Sequence, residues 1–248
     1  MCFDMEEMQG EYAKVKLPNI KISVTGNGRV SHGAMEVLNG MGIKKVTVND
    51  YLTKTFDEPV YTQLLVSDYN IKKDGSFDKK EFYSNPSDYV SNFGRFAKTS
   101  DLFIAGAFWD PDSPALFTRE DAKLPDFKIK VVADITMDID GSVPTTLRPA
   151  TIEEPCYDYN PITEQLEAPF TSETNITEMA VDNLPCELPR DASRDFGREF
   201  IDNVLPNLLE GTPNRMIDAA AITTLSGDLT EKFSYLKDYL HLKTKLDF

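Results

Sequence analysis

The chain has 248 residues, 41% of them hydrophobic, with 41 acidic against 26 basic side chains and a formal charge of −15. That length and composition suit one large or two small globular domains, and the acidic balance excludes non-specific nucleic-acid binding, which needs a cationic surface. No apolar run approaches a membrane span, and the opening Met-Cys-Phe-Asp-Met-Glu-Glu lacks the basic and apolar regions of a signal peptide.

Three widely spaced cysteines, Cys2, Cys156 and Cys186, offer neither a metal spacing nor a redox pair, which points to a reducing cytoplasm. Residues 3–15 are polar with scattered apolar positions and suit a helix that ends by Pro18. Ile20 to Thr25 is a β-branched run that reads as a strand leading into Gly26-Asn27-Gly28. Val30, Ala34, Val37, Leu38 and Met41 then share one helix face, and Gly42 supplies a left-handed stop. Lys45 to Val48 reads as a second strand with Asp50 and Tyr51 at its C-terminal end.

Strand, glycine turn, helix, strand and acid is the order of a dinucleotide-binding unit. Gly26 would allow the tight turn, and Gly28 would let a pyrophosphate approach the backbone at the head of the helix, where unpaired N–H groups gather. Asp50 would accept hydrogen bonds from a ribose hydroxyl pair and repel a 2′-phosphate, favouring NAD over NADP. The third fingerprint position is Ser31 instead of glycine.

Val60 to Val66 reads as a third strand, and Lys73 to Ser76 as a turn. Pro86 opens a helical stretch with Tyr89, Phe93 and Phe96 on one side. Leu102 to Ala107 and Ile129 to Ile135 read as strands buried on both faces, separated by a Phe108–Pro111 loop and by a short helix with Thr118 and Asp121 as its capping box. Residues 136–175 read as a long loop, and Thr177 to Asp182 as a last strand.

From Pro189 the pattern is helical. Phe196, Phe200, Val204 and Leu205 keep helix spacing, and Thr212-Pro213 caps a helix that carries Ile217, Ala220, Ala221, Thr224 and Leu225 up to Gly227. Thr230 caps a last one with Phe233, Leu236 and Leu240.

In open parallel sheets ligands bind beyond the C-terminal strand ends. Five such ends outline one crevice: 26–31, 50–51, 107–110, 133–136 and 182–185. Asp134, Asp138 and Asp140 fit no standard metal spacing, so no metal is expected. The two histidines, His32 on the nucleotide helix and His241 near the C-terminus, assemble no catalytic set.

Three segments carry a resemblance. Residues 132–142, VADITMDIDGS, 151–161, TIEEPCYDYNP, and 182–193, DNLPCELPRDAS, each resemble a segment of the saccharopine dehydrogenase and lysine–ketoglutarate reductase family, itself similar to alanine dehydrogenase and the transhydrogenase soluble subunit. With the glycine motif they cover about residues 20 to 210.

The resemblance implies an α/β fold, a Rossmann-type doubly wound parallel sheet at residues 19–188, with a C-terminal helical segment at 189–248 that would pack on a second domain. Residues 1–18 would be the remnant of an inter-domain linker. It implies a cytoplasmic oxidoreductase transferring hydride between NAD and a secondary-amine amino-acid substrate, with a homodimer allowed. Gly26, Gly28, Arg29 and Val30 would lie on the pyrophosphate and Asp50 on the ribose, with Tyr51 beside it. Phe108 and Trp109 would wall the cleft. Asp134, Asp182 and Leu184 would lie toward the nicotinamide. The family's catalytic lysine and histidine come from an N-terminal substrate domain for which this chain leaves no room, so the catalytic residues stay unassigned. Alanine dehydrogenation and a non-catalytic nucleotide-binding regulatory module are the alternatives.

Overall fold

The computed structural model describes residues 2–209 and 215–243, and divides the chain into two compact units, Met1–Pro189 and Arg190–Phe248. The first unit opens with helix α1 (Met5–Glu11), whose N-cap Asp4 accepts the Glu7 N–H, followed by a 3-10 turn at Tyr12–Lys14. The strands β1 (Lys21–Thr25), β2 (Lys44–Lys45), β3 (Val60–Leu64), β6 (Leu102–Ala105), β7 (Val131–Asp134) and β10 (Ile176–Met179) form the parallel part of an eight-stranded sheet. The antiparallel pair β8 (Cys156–Asn160) and β9 (Gln165–Glu167) extends it, giving the order β2-β3-β1-β6-β7-β10-β8-β9. A separate hairpin joins β4 (Asn70–Lys72) to β5 (Tyr89–Ser91). This is the Rossmann-like α/β architecture expected from the sequence.

Alternation along the strands builds two cores. Ile22 and Val24 of β1 and Tyr61 of β3 turn to the face covered by helix α2 (Arg29–Gly40), where they meet Met35 and Leu38. Leu64, Phe103, Ala105 and Val132 turn to the other face. There they meet Tyr51 of helix α3 (Val48–Thr53) and Phe96 of helix α6 (Gly94–Ala97). Between β3 and α6 the chain makes helix α4 (Val66–Tyr69), the hairpin, and helix α5 (Lys79–Ser84).

Several expected elements change. The second strand is only Lys44–Lys45, an exposed pair at the sheet edge that bonds to β3 and not to β1. Thr47 ends it: its hydroxyl accepts the Asp50 N–H at 3.1 Å and starts α3, so Asp50 sits on a helix and not at a strand end. The stretch from Pro86 is a 3-10 turn, a strand and a four-residue helix, which bury Tyr89, Phe93 and Phe96 from different elements. The expected loop at 136–175 holds the β8–β9 hairpin. Its corner is set by the Asn160 carboxamide oxygen, which accepts the Ile162 and Thr163 N–H groups. Thr118 and Asp121 form the expected capping box at helix α7 (Arg119–Ala122).

The second unit contains helix α8 (Pro189–Glu199), a π-helical turn at Phe200–Val204, α9 (Leu205–Leu209), α10 (Arg215–Ala220) and α11 (Lys237–Lys243). The expected Thr212-Pro213 cap lies outside the described residues. Helix α10 ends at Ala220; Thr224 and Leu225 belong to a turn closed by a Thr223–Leu229 bridge; Thr230 stands at the expected N-cap, of a 3-10 turn at Glu231–Leu236 that leads into α11, but its hydroxyl donates to Ala221 O and makes no capping bond. No described helix is long and apolar enough to cross a membrane.

Candidate functional site

A cavity of about 620 Å³ lies over the C-terminal ends of β1, β3 and β6. Its floor is Gly26-Asn27-Gly28 between β1 and α2. Leu65, Val66 and Ser67 line it after β3, and Gly106 to Asp110 after β6. Phe77, Lys79, Phe82, Tyr83 and Pro86 line it from the segment around α5, and Ser142 from the loop after β7.

The glycine turn has a steric cause. Gly26 has φ = +107°, and a Cβ there would lie 2.9 Å from Gly106 O. A Cβ on Gly28 would meet nothing within 4 Å, so the space a side chain would fill is open. Ser31 is fully buried and donates its hydroxyl to Gly28 O at 3.0 Å. His32 Nδ1 lies 2.8 Å from the same carbonyl, so this ring nitrogen is engaged with the helix's own backbone.

The α5 segment is held by aromatic packing. Phe82 meets Tyr89 edge-on at 5.1 Å between centroids, Phe77 meets Tyr89 at 5.6 Å, and the Tyr89 hydroxyl donates to Asp78 O. Asp78 caps α5 by accepting the Glu81 N–H, and Lys72 pairs with Glu81 at 2.6 Å. Lys79 and Tyr83 project from this base, and Lys79 makes no ion pair with any described residue. Together with Asp110 it makes up the charged lining.

Of the residues singled out in the sequence, the cavity brings together Gly26, Gly28, Phe108 and Trp109. Phe108 is 91% exposed at the rim, and Trp109 is tied back by its indole N–H to Pro114 O. Arg29 and Val30 start α2 beside the glycine turn and are exposed, outside the lining.

Asp50 does not reach the cavity, because β3 and not β2 adjoins β1; its carboxylate pairs with Lys54 at 2.9 Å. Tyr51 is wholly buried beneath the sheet, its hydroxyl donating to Ser100, and burial pushes its phenol up. Asp134 is fully buried and saturated: it accepts the Thr136 and Met137 N–H groups and the Thr136 and Thr146 hydroxyls. It ties down the turn after β7 and does not face the cavity. Asp182 and Leu184 also stand outside the lining, Asp182 exposed and Leu184 packed near Ala150 and Val181.

Sequence reasoning missed the end of β3 and the α5 segment. The only signal for the former was the Val60–Val66 run, which says nothing about which strand lies beside β1.

Among the described residues no group of three or more acidic, histidine or cysteine side chains could hold a metal ion. Glu178 on β10 is as inaccessible as Asp134 and Asp158, but neither of its oxygens is hydrogen-bonded. Loss of hydration, with a lesser push from the Asp134 charge, raises its carboxyl to about 8. Asp158 goes the other way despite burial: the Thr177 hydroxyl and the Phe170 and Thr171 N–H groups hold its carboxyl down while it anchors the segment after β9.

No family model matches the chain. It is similar to mitochondrial alpha-aminoadipic semialdehyde synthase of Mus musculus, 28% identical over 90% of this chain and 27% of that protein. The Bos taurus counterpart is 27% identical over 86% of the chain and 26% of its own length. Alpha-aminoadipic semialdehyde synthase of Arabidopsis thaliana is 25% identical over 86% of the chain and 22% of its length. The chain therefore spans about a quarter of the length of the curated relatives it matches, and those relatives are alpha-aminoadipic semialdehyde synthases.

Proposed function

We propose that this chain is the dinucleotide-binding part of an amino-acid oxidoreductase of the saccharopine dehydrogenase and lysine–ketoglutarate reductase type. The observation that carries the reading is the cavity at the C-terminal ends of three parallel strands, floored by a glycine turn at the head of a twelve-residue helix. The relatives, whose name is that of a semialdehyde synthase, support the reaction class.

The pyrophosphate would lie against Asn27 and Gly28, with the first-turn N–H groups of Arg29 and Val30 behind it. Phe108 and Trp109 would wall the nicotinamide side. A bound nicotinamide supplies the hydride donor or acceptor; the chain binds it, orients it and keeps water from one face.

The strand beside β1 reads the adenosine ribose in this fold, so that role passes from Asp50 to the end of β3. Ser67 and Lys79 line the cavity there, and the Asp68 carboxylate is turned onto the Leu65 N–H. A 2′-phosphate beside Lys79 would meet a cation, with the Asp110 carboxylate on the segment after β6, so NADP is the preferred form where Asp50 implied NAD.

The substrate is a small amino acid carrying an amine or imine. Among the described residues no histidine lines the cavity, and a proton donor and acceptor for hydride transfer would come from outside it. Titration calorimetry with NAD and NADP tests the reading. Binding of neither would sink it; binding of a dinucleotide by a full-length protein that turns over no amino acid would favour the regulatory module.

A further inference from the structure

Beneath the glycine turn lies a polar chain that no core requires. The Lys45 ammonium on β2 donates to Gln63 Oε1 at 2.8 Å. The Gln63 amide nitrogen on β3 donates to Gly26 O at 2.9 Å and to the Asn27 side-chain oxygen at 3.1 Å. We propose that Gln63 is a positioning residue that fixes the Gly26–Asn27 peptide plane, so that the Asn27 N–H is presented to a phosphate, with Lys45 setting the orientation of its amide. This rests on the dinucleotide reading above.

A side-chain amide can flip, exchanging donor and acceptor ends. The Lys45 ammonium has only donors, so it holds the oxygen end of Gln63 toward itself and leaves the NH₂ for the turn. That NH₂ captures the Gly26 carbonyl. In a planar trans peptide the C=O and the next N–H point in opposite directions. Anchoring Gly26 O to the strand side therefore turns the Asn27 N–H away from Gln63, and this N–H finds no acceptor among the described residues.

Gly26 is also the residue whose φ = +107° makes its plane the least restrained by ordinary backbone preference. Without Gln63 the plane is free to rotate, and the carbonyl is free to occupy the place a phosphate oxygen needs. The strand Gln63 occupies is the one that adjoins β1, opposite Val24, so its side chain reaches the turn that continues β1.

The test uses the unaltered chain, Gln63→Met and Lys45→Met. Met keeps the length of the glutamine and removes its donor. NADP affinity is measured by calorimetry, and the Asn27 amide resonance is followed by NMR as NADP is added. Gln63→Met is expected to bind about tenfold more weakly, the scale of one lost hydrogen bond to a charged site, and its Asn27 amide to respond much less than in the unaltered chain. Lys45→Met, at an exposed edge where folding is not at stake, is expected to weaken binding about threefold.

Wild-type affinity in Gln63→Met, or in Lys45→Met should the first not fold, overturns the proposal. So does weaker binding with an Asn27 amide that responds as before. If the unaltered chain binds no dinucleotide, the dinucleotide reading fails first, and this proposal with it.

Discussion

Ser31 of α2 and Gly106 at the end of β6 lie so close that a Cβ on Gly106 would come within 3.3 Å of Ser31 Cα and 3.1 Å of Thr25 O. The third glycine of the nucleotide fingerprint normally permits close packing of helix on strand. In this chain the space is made from the opposite side: Ser31 keeps its hydroxyl on Gly28 O, and Gly106 gives up the side chain. Gly106→Val should lower the thermal midpoint by several degrees, the cost of overpacking being roughly 1–3 kcal/mol, while Ser31→Gly leaves the helix in place. A Gly106→Val chain that melts with the wild type would show that α2 can shift freely.

The two turn glycines separate fold from binding. Gly26→Ala places a Cβ against Gly106 O at a left-handed backbone angle, so it should destabilise the fold by more than about 1 kcal/mol. Gly28→Val points into open space, so it should melt normally and lose dinucleotide binding. Melting curves and calorimetry on both variants check this; unchanged NADP affinity in Gly28→Val would remove the turn from the site.

Cofactor choice should follow Lys79 and not Asp50. Asp50→Asn breaks only a helix-surface pair with Lys54, worth about 0.3–0.5 kcal/mol, and should leave the NAD to NADP ratio within about twofold. Lys79→Glu places a carboxylate at the cavity wall beyond β3 and should weaken NADP more than NAD. An Asp50 variant that shifts the ratio strongly would restore the acid to the ribose.

The β1–α2 unit was legible in the sequence, because a β-branched run, two glycines and helix spacing are local signals, and Gly26, Gly28, Phe108 and Trp109 do meet in the cavity. The position of Asp50 was not, because strand order is a property of the sheet: a two-residue β2 was displaced from β1 by β3. Asp134 misled for a related reason, since a carboxylate at a strand end serves equally well to hold the following turn. The β8–β9 hairpin was hidden by Asp158, a polar residue at a buried strand position whose partners Thr177, Phe170 and Thr171 lie on other segments. The α5 segment left no motif, only aromatics without period.

Glu178 gives a pH dependence with a definite sign. Its carboxyl stands at about 8 in the folded chain against 4.5 for the free side chain. Between those values the unfolded chain loses the proton while the folded chain keeps it, so stability falls as pH rises through this window and levels off above it. The nearby Thr145 hydroxyl, which falls short of hydrogen-bonding geometry, offsets only part of the desolvation cost. Glu178→Met should raise the melting temperature at pH 8 by at least about 3 °C, with the gain shrinking toward pH 4.5. A Met variant that is less stable than the wild type at pH 8 would mean that a buried partner stabilises the carboxylate.

The last prediction concerns turnover. Hydride transfer needs a substrate carbon held against the nicotinamide, and orientation accounts for much of the rate. It also needs a group to give or take the amine or water proton, typically contributing ~10²–10⁴-fold. Among the described residues the cavity offers Lys79 and Asp110 as charged groups and no histidine, and His32 is engaged with Gly28 O. Tyr69 of α4, which also lines the cavity, is buried, and this pushes its phenol up and away from proton exchange at neutral pH. Residues 1 to 248 alone should therefore bind NADP and show no change in nicotinamide absorbance with saccharopine, with lysine plus 2-oxoglutarate, or with alanine. A protein extended to the length of the relatives should show one of these activities. Robust turnover by the present chain would place the proton-transfer group inside it. Lys79→Met, Asp110→Asn and Tyr83→Phe, assayed for a loss of kcat at unchanged NADP affinity, would then identify it.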